Sequence, residues 1–160
     1  CGIRGGVKAA IHATRHFLQK ETPQCQVLVK FDFKNAFNSI HRYKLLSSLQ
    51  TWAPEYYAFV WQCYRDPSFL LFGEHHLLSR CGVQQGDPLG PLAFSIATYP
   101  LAQSLTSDLN VWYLDDGTVG GDPDTVLKDL QRVIAAQDDY GLELNQSKCE
   151  AFIFNWTDQK

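Results

Sequence analysis

The sequence predicts an α+β fold in which a mainly antiparallel sheet packs against helices. The first observation is the order of hydrophobic patterns, which runs helix, strand, helices, hairpin, helix, hairpin, helix, strand. The second is the composition, because 160 residues with 45% hydrophobic and 19% charged residues are typical of one globular domain. No linker, repeat or low-complexity tract interrupts the chain, so we expect a single compact unit.

The first half of the chain is predicted to hold helices, one strand and a hairpin. Apolar residues recur at helical spacing from about 6 to 21, and a β-branched stretch from about 26 to 33 is typical of a strand. Helical periodicity returns in NAFNSIHRYKLLSSLQTW, and Pro54 at a first helical position begins another short helix. The stretch SFLLFGEHHLLSRCGV is typical of a hairpin, whose turn we expect from Gly73 to His75.

The second half is predicted to alternate helices with antiparallel strands. A long apolar helix is expected to begin near Pro88 and to bend at Pro100. The stretch NVWYLDDGTVGGD is typical of a second hairpin, with its two acids at the turn. Asp122 and the proline after it predict a helix from about 123 to 140, which Gly141 ends. The segment LELNQSKCEAFIF supplies the last strands.

Cysteine usage and charge narrow the functional classes. The five cysteines are an odd number, widely scattered and without a C-x-x-C pair, which favours reduced thiols in an intracellular protein over disulfides or a zinc site. The chain has no run of about 18 apolar residues, so no transmembrane helix is expected. Residues 1–80 carry ten Lys/Arg and five Asp/Glu, whereas residues 81–160 carry four and twelve. One half could therefore face polyanions while the other collects cations.

Three acidic residues occupy positions where a carboxylate is costly. Asp115 and Asp116 are adjacent in the predicted hairpin turn, where their charges repel each other unless a cation compensates. Asp32 interrupts an apolar strand. Each feature has an ordinary alternative, because Asp-Asp-Gly is a good turn sequence and a lone strand acid can lie at an edge or act as a cap. Together they predict an oxygen-rich site for two Mg²⁺ ions roughly 3.5–4 Å apart, suited to phosphoryl transfer.

Four segments in order, FDFKNAF, GVQQGDPLGPLAF, YLDD and GLELNQSKCE, resemble motifs A to D of the reverse transcriptase domain of non-LTR (LINE-like) retrotransposons. The resemblance runs from Gly2 to about Phe154. It implies a palm-and-fingers polymerase fold without a thumb. The implied subdomains within the single domain 1–160 are fingers at 1–25 and 39–84 and palm at 26–38 and 85–156.

The function implied by this resemblance is RNA-directed DNA polymerase activity. Two Mg²⁺ ions, or Mn²⁺ in their place, would support transfer of dNTPs onto a primer 3′-hydroxyl along an RNA template. The chain begins CGIRGG and has no methionine, so we expect a fragment whose parent adds a thumb and could add an endonuclease. The isolated fragment is then expected to be weakly active or inactive. The alternative is a catalytically silent, domesticated or relic copy that serves as a scaffold for nucleic acid or protein.

The resemblance assigns catalytic roles to individual residues. Asp32, Asp115 and Asp116 match the metal ligands, with the weaker contact expected at Asp116, and the peptide carbonyl of Phe33 matches a further ligand. Phe37 matches the position that packs against the nucleotide sugar. Its alternative role is that of an ordinary core aromatic residue.

The segment QQGDPLGPL is expected to contact the nucleotide and the template. Gln85 resembles the motif B glutamine that braces both, although Gln84 is adjacent and chemically equal. Gly86 allows the backbone to approach a ligand closely. Asp87 has the alternative role of a helix N-cap.

Two basic residues complete the predicted site. Lys148 matches the motif D lysine, a candidate proton donor to the departing pyrophosphate, and its alternative is an ordinary surface lysine. Arg4 resembles a fingers arginine that grips the triphosphate, for which a guanidinium is suited because it makes paired hydrogen bonds to phosphate.

Overall fold

The computed structural model describes residues 4–20, 22 and 24–155. Within these residues the chain forms six helices and six strands. The helices are α1 (Gly6–Gln19), α2 (Ala36–Ser39), α3 (Arg42–Trp52), α4 (Pro54–Tyr64), α5 (Gly90–Ser104) and α6 (Pro123–Tyr140). The strands are β1 (Gln26–Phe31), β2 (Ser68–Phe72), β3 (His75–Ser79), β4 (Leu109–Tyr113), β5 (Asp116–Gly121) and β6 (Glu150–Phe154).

Four strands form the main sheet in the order β4-β5-β1-β6, and each neighbouring pair is antiparallel. The strands β2 and β3 form a separate two-stranded sheet. Alternate side chains of β1 serve opposite faces of the sheet: Val29 and Phe31 join the main hydrophobic core, whereas Leu28 lies with Phe17 of α1 beside Gly120. The prediction of an α+β fold with a mainly antiparallel sheet is confirmed.

The core lies between the main sheet and the helices that follow β1 in the chain. Phe31 from β1 and Phe94 from α5 are both fully buried, as are Leu45 and Leu49 on α3. The helix α3 contacts both α4 and α5, and α6 contacts β1 and β5. The apolar positions of these elements recur at helical or alternating spacing, so the sequence pattern directs them toward this common interior.

The helical stretch predicted around residues 36–52 is broken into α2 and α3. The break is at Ile40, whose φ of −51° and ψ of 135° are not helical. Two long-range hydrogen bonds stabilise it: the Ile40 carbonyl accepts from the Gly82 N–H at 2.8 Å, and the His41 N–H donates to the Tyr140 carbonyl at 2.8 Å. Tertiary hydrogen bonds therefore override the local helical periodicity.

The other predicted boundaries differ from the structure by a few residues at most. The β2–β3 hairpin turns through residues 73–74, so His75 already belongs to β3. The helix α6 has the predicted bounds, because Asp122 accepts a hydrogen bond from the Thr125 N–H at 3.1 Å and Gly141 ends the helix with a φ of 69°. In place of several last strands, the structure has β6 and one isolated bridge.

None of the helices within residues 4–20, 22 and 24–155 combines the length and the apolarity needed to span a membrane.

Candidate active site

The acidic residues meet at one end of the main sheet because of the register of β1 and β5. Phe31 at the end of β1 pairs with Gly117 near the start of β5. Asp32 follows β1 directly and Asp116 is the first residue of β5, so the same register brings Asp32 beside Asp116. Gly117 permits this close pairing, since a Cβ at this position would lie 1.9 Å from the ring of Phe31.

The β4–β5 hairpin turns through Leu114 and Asp115. Tyr113 pairs with Asp116, which leaves two residues for the turn. Leu114 has a φ of 57°, in the left-handed region that costs a non-glycine residue about 1–2 kcal/mol. Strain of this kind persists only where the surrounding structure enforces it, and it clusters at functional sites. The predicted turn is thus correct for Asp115, whereas Asp116 belongs to the strand.

Asp32 is fixed through its backbone, while one of its carboxylate oxygens lacks a hydrogen-bond partner. Its carbonyl accepts a hydrogen bond of 2.8 Å from the Asn145 N–H. Its Oδ1 is buried and has no hydrogen-bond partner within the described part of the chain. The Nζ of Lys148 is 3.9 Å from this oxygen and its side chain is 67% exposed, so the ion pair is weak. A buried carboxylate oxygen in this state is costly unless a bound group supplies the partner.

The three carboxylates interact electrostatically and have the ligand chemistry that a divalent cation prefers. Burial raises the pKa of Asp115 above its ordinary value, and the charges of Asp116 and Asp32 raise it further, while Lys148 opposes the increase. As they stand, no three acidic, histidine or cysteine side chains among residues 4–20, 22 and 24–155 are arranged to hold one metal ion. Hard carboxylate oxygens, mutual repulsion and the unpartnered Oδ1 of Asp32 are nevertheless the features that a divalent cation would satisfy.

The predicted backbone ligand, Phe33, follows Asp32 directly. Phe33 forms an isolated antiparallel bridge with Leu144. The two hydrogen bonds of this bridge are made by the residues on either side of Phe33 and of Leu144, so the bridge does not use the Phe33 carbonyl. The role of this carbonyl as a metal ligand remains a prediction.

A cleft of about 480 Å³ opens beside the acidic residues. Its wall combines segment 35–37 after β1, segment 84–87 before α5, residues 90–91 at the start of α5, and the turn of the β4–β5 hairpin. The structure therefore brings together segments that are about 80 residues apart in the chain. Four residues of the predicted site line the cleft: Phe37, Gln85, Gly86 and Asp115.

Phe37 packs against the hydrophobic core and also lines the cleft, which are the two alternatives that the sequence left open. It is half-buried, and its ring stacks on that of Phe94 with centroids 4.4 Å apart and planes 9° from parallel. It also lines the cleft. Its carbonyl accepts a hydrogen bond of 2.6 Å from the Val83 N–H, which ties α2 to the segment that precedes α5.

The two adjacent glutamines, Gln84 and Gln85, differ in their contacts. The Gln84 side chain donates to Ser68 Oγ at 2.8 Å, and its N–H donates to the Tyr64 hydroxyl at 3.1 Å. Gln85 is exposed in the cleft wall. Gly86 has a φ of 89°, and open space lies where a Cβ would be. Gln84 also lines the cleft, but its side-chain amide is engaged by Ser68, so Gln85 and Gly86 are the residues of this loop best placed to meet a ligand.

Asp87 is not the N-cap of α5. The helix begins at Gly90, two residues after the predicted start at Pro88, and Leu89 is the residue before it. Asp87 Oδ1 accepts a hydrogen bond of 2.9 Å from the Leu89 N–H, and its Oδ2 accepts one from the Tyr64 hydroxyl. The side chain of Asp87 thus stabilises a turn ahead of the helix, which delays its first residue.

Lys148 and Arg4 lie outside the wall of the cleft. Lys148 is beside the acidic residues, with its ammonium group near the carboxylate of Asp32. Arg4 lies in a turn before α1 and lines a separate groove between α1 and β4, together with Trp112 and Tyr113. The proposed contact of Arg4 with a triphosphate stays a prediction.

The sequence did not single out Tyr64, whose hydroxyl contacts the cleft-lining loop. Tyr64 is the last residue of α4 and is 2% exposed. In the aromatic-rich stretch PEYYAFVWQCY no spacing distinguishes it from the neighbouring aromatic residues. Its contact with residues about 20 positions further along the chain exists only in the tertiary structure.

The fold and the acidic site together define a class of protein. An antiparallel sheet that carries Asp32, Asp115 and Asp116 at one end, with helices packed against it and a cleft alongside, has the architecture of a polymerase palm. The chain belongs to the reverse transcriptase (RNA-dependent DNA polymerase) family, whose model matches residues 4–159. Members of this family generally use divalent metal ions.

One protein is similar to this chain in sequence, and two solved structures are similar to it in fold. The chain is 29% identical over 165 residues to the retrotransposable element SLACS 132 kDa protein of Trypanosoma brucei gambiense, and the match covers 93% of this chain and 14% of that protein. Its fold is similar to apo telomerase from Candida tropicalis truncated from its C-terminal domain, with a TM-score of 0.70, 15% identity, and coverage of 98% of this chain and 37% of that one. It is also similar to Candida tropicalis telomerase in complex with the TWJ fragment of telomeric RNA, with a TM-score of 0.68, 16% identity, and coverage of 94% and 30%.

Proposed function

We propose that this chain is the palm and part of the fingers of a retrotransposon reverse transcriptase, an RNA-directed DNA polymerase. Family membership and the retrotransposable-element relative support the proposal. The observation that carries it is the position of Asp32 and Asp115 at one end of the sheet, where Asp115 opens into the cleft. The fingers comprise 1–25 and 39–84, and the palm 26–38 and 85–156.

Asp32, Asp115, Asp116 and the Phe33 carbonyl would hold two Mg²⁺ ions, for which Mn²⁺ can substitute. When bound, such ions lower the pKa of a primer 3′-hydroxyl and neutralise charge on the departing pyrophosphate. The unpartnered Oδ1 of Asp32 supports this assignment, and so does the pKa of Asp115, which burial and then the neighbouring acids raise. A bound cation would stabilise the charged form of both groups.

The remaining residues of the site position the nucleotide. In the proposed reaction the primer 3′-hydroxyl releases its proton to water, its oxygen forms a bond to the α-phosphorus of a dNTP, and the bond from that phosphorus to pyrophosphate breaks. Phe37 packs against the deoxyribose, while Gln85 and Gly86 contact the nucleotide and the template. Lys148 donates a proton to the leaving pyrophosphate, and Arg4 contacts the triphosphate. Catalysis of this kind depends mainly on positioning and charge compensation.

The proposed partners are an RNA template, a DNA primer and dNTPs. One of the telomerases with a similar fold is in complex with a fragment of telomeric RNA, which supports an RNA partner. The chain spans 14% of the retrotransposable-element protein and 30% of that telomerase, so other parts of a parent protein would contribute to duplex binding. Duplex binding needs many phosphate contacts, and we therefore expect weak, salt-sensitive binding by this segment alone.

Primer extension by the full-length parent protein tests the proposal. The assay contains an RNA template, a DNA primer, dNTPs and Mg²⁺, and it compares the wild type with Asp115→Asn, which keeps the size of the side chain but removes its charge. We expect extension by the wild type and none by Asp115→Asn. The matched control is Asp138→Asn, an exposed acid on α6 outside the cleft, which should retain activity.

Two results would contradict the proposal. Equal extension by Asp115→Asn and the wild type would exclude the site assignment. A folded wild-type parent that binds RNA but extends no primer with either Mg²⁺ or Mn²⁺ would favour the silent scaffold. A calorimetric Mn²⁺ titration of the chain adds a readout that needs no activity: binding should be present in the wild type and lost in Asp115→Asn.

A further inference from the structure

The Tyr64 hydroxyl forms hydrogen bonds with both ends of the loop 84–87, which lines the cleft. The Tyr64 hydroxyl accepts a hydrogen bond of 3.1 Å from the Gln84 N–H and donates one to Asp87 Oδ2. Gln84 and Asp87 are the two residues that flank Gln85 and Gly86. The Asp87 N–H also donates to the Gln84 carbonyl at 3.2 Å, so the four residues form a turn whose ends converge on the same hydroxyl.

The Asp87 end of the loop continues into α5. Asp87 Oδ1 accepts from the Leu89 N–H at 2.9 Å, and the Asp87 carbonyl accepts from the Gly90 N–H at 3.0 Å. A Cβ at Gly90 would lie 2.7 Å from Val83 Cγ1, so the start of the helix packs closely on the segment before the loop. The carboxylate of Asp87 therefore links the Tyr64 hydroxyl to the first turn of α5.

Tyr64 is itself held by a buried arginine. The guanidinium carbon of Arg42 is 5.3 Å from the centroid of the Tyr64 ring, and Arg42 is 8% exposed. Its guanidinium donates to Ser79 Oγ at 2.8 Å and to the carbonyls of Gly82 and Asp66, each at 3.2 Å. Arg42 therefore connects α3 to the chain on both sides of the β2–β3 hairpin and fixes the position of the Tyr64 ring.

The tip of the loop, Gln85 and Gly86, lies between the two residues that are hydrogen-bonded to Tyr64. Gln85 and Gly86 are exposed in the cleft wall, and the positive φ of Gly86 depends on the path of the loop on either side. Burial and the hydrogen bond to Asp87 raise the pKa of Tyr64 to about 12, so the hydroxyl keeps its proton for the carboxylate at physiological pH.

We propose that Tyr64 is a positioning residue for nucleotide binding: through Gln84 and Asp87 its hydroxyl fixes Gln85 and Gly86 in the cleft. Tyr64 does not line the cleft itself, so it acts through the loop and not by direct contact. The inference rests on the proposed function, because the ligand that would meet Gln85 and Gly86 is the incoming nucleotide with its template base.

Amide hydrogen exchange of the parent protein tests the structural part without any need for activity. In Tyr64→Phe, which removes the hydroxyl and keeps the ring, the amides of segment 84–89 should exchange at least about 10-fold faster, while those of α3 stay unchanged. The matched control is Tyr56→Phe, an exposed tyrosine on the same helix, which should exchange like the wild type. Unchanged exchange of segment 84–89 in folded Tyr64→Phe would overturn the proposal, whether or not the parent extends a primer.

Steady-state primer extension tests the functional part. Tyr64→Phe should raise the KM for dNTP about 10-fold and change kcat less than KM, since no group that touches the reacting atoms is removed. In a Gln85→Ala background the same substitution should change KM little, because the residue through which Tyr64 acts is gone. The proposal would be overturned if the effects of Tyr64→Phe and Gln85→Ala on the KM for dNTP were fully additive. It would also be overturned if Tyr64→Phe alone left this KM unchanged.

A second variant covers the case in which Tyr64→Phe fails to fold. Asp87→Ala removes the acceptor at the other end of the contact and leaves Tyr64 in place. It should also raise the KM for dNTP and accelerate exchange in segment 84–89, and wild-type values of both in folded Asp87→Ala would overturn the proposal. A wild-type parent without polymerase activity refutes the proposed function alone, because the exchange experiment still decides the role of Tyr64 in the loop.

Discussion

The ring of Phe37 stacks on the ring of Phe94 in a nearly parallel arrangement, with centroids 4.4 Å apart. Phe94 is fully buried in α5, whereas Phe37 is half-buried and lines the cleft. The stack therefore connects the wall of the proposed nucleotide site to the hydrophobic core. A substitution at Phe37 has two separable consequences, one for the cleft and one for stability.

Phe37→Val should raise ribonucleotide incorporation relative to deoxyribonucleotide incorporation on the order of 10–1000-fold, at ~1.4 kcal/mol per decade. A ring at the floor of the sugar site collides with a 2′-hydroxyl, and the smaller side chain relieves this repulsion. Competing extension with dNTPs and rNTPs measures the change. Metal binding should be unaffected.

Phe94→Leu is the matched control for the Phe37 variant. It weakens the same stack from the core side without altering a residue of the cleft wall, so it should lower the melting temperature and leave sugar selectivity unchanged. Equal selectivity of folded Phe37→Val and the wild type would assign Phe37 to the core alone.

Asp116→Ala should reduce activity less than Asp115→Ala. Asp115 is half-buried in the hairpin turn and lines the cleft, whereas Asp116 is exposed and paired within the sheet. We expect undetectable extension by Asp115→Ala or Asp32→Ala and residual extension by Asp116→Ala in the same assay. If Asp116→Ala reduced extension more than Asp115→Ala, Asp116 in the strand would be the principal metal ligand.

Lys148→Ala should lower kcat about 100-fold or more, the size of a typical general-acid contribution, with little change in the melting temperature. Its ion pair with Asp32 is long and its side chain is mostly exposed, so it contributes little to stability. Lys128→Ala, at an exposed position of α6, is the control and should behave like the wild type. Single-turnover extension measures the rate, and an unchanged rate would identify Lys148 as an ordinary surface lysine.

Asp129 is predicted to make the stability of the fold pH-dependent. It is fully buried on α6 and accepts hydrogen bonds from the N–H groups of Thr106 and Ser107 at 2.8 and 2.7 Å. Burial alone raises the pKa of Asp129, but the hydrogen bonds that it accepts outweigh burial and hold this pKa below its ordinary value. Because the folded state has the lower pKa, this stabilisation is complete above the ordinary aspartate value of about 3.9 and is lost as the pH falls through the folded pKa.

Asp129→Asn should therefore lower the free energy of unfolding at pH 7 by about 1–3 kcal/mol, and this difference should narrow in strong acid. Denaturant unfolding at a series of pH values measures both. Asp138→Asn on the exposed side of α6 provides the control and should leave stability unchanged at pH 7. A difference between Asp129→Asn and the wild type that stays constant down to about pH 2 would exclude the carboxylate as the cause.

Gly82→Ala should destabilise the domain more than Gly73→Ala. Both glycines have positive φ, of 73° and 58°, which costs alanine about 1 kcal/mol. Only at Gly82 would the added Cβ lie 2.4 Å from the backbone of Asn38, whereas the space at Gly73 is open. Thermal melts of the two variants measure the difference, and equal melting temperatures would show that the chain around Gly82 can relax.

The amino-acid sequence alone was enough to predict the local elements and to single out the acids of the proposed site. The period of the apolar positions predicts the helices and strands, and Asp122 with Gly141 defines α6, because caps and hydrophobic faces act within a few residues of the chain. The acids are conspicuous in the sequence because a carboxylate within an apolar strand, or two in one turn, is costly without a partner. These signals need no knowledge of distant contacts.

Tertiary structure alone decided the break at Ile40, the different contacts of Gln84 and Gln85, and the contact of Tyr64 with Asp87. Each depends on hydrogen bonds between residues 16 or more positions apart, which no local pattern encodes. Helical periodicity runs through Ile40 in the sequence, yet its carbonyl accepts a hydrogen bond from the Gly82 N–H, and the His41 N–H donates one to the Tyr140 carbonyl of α6. These bonds stabilise an extended backbone at Ile40. Packing of distant segments, not the composition of each, therefore set the geometry of the cleft.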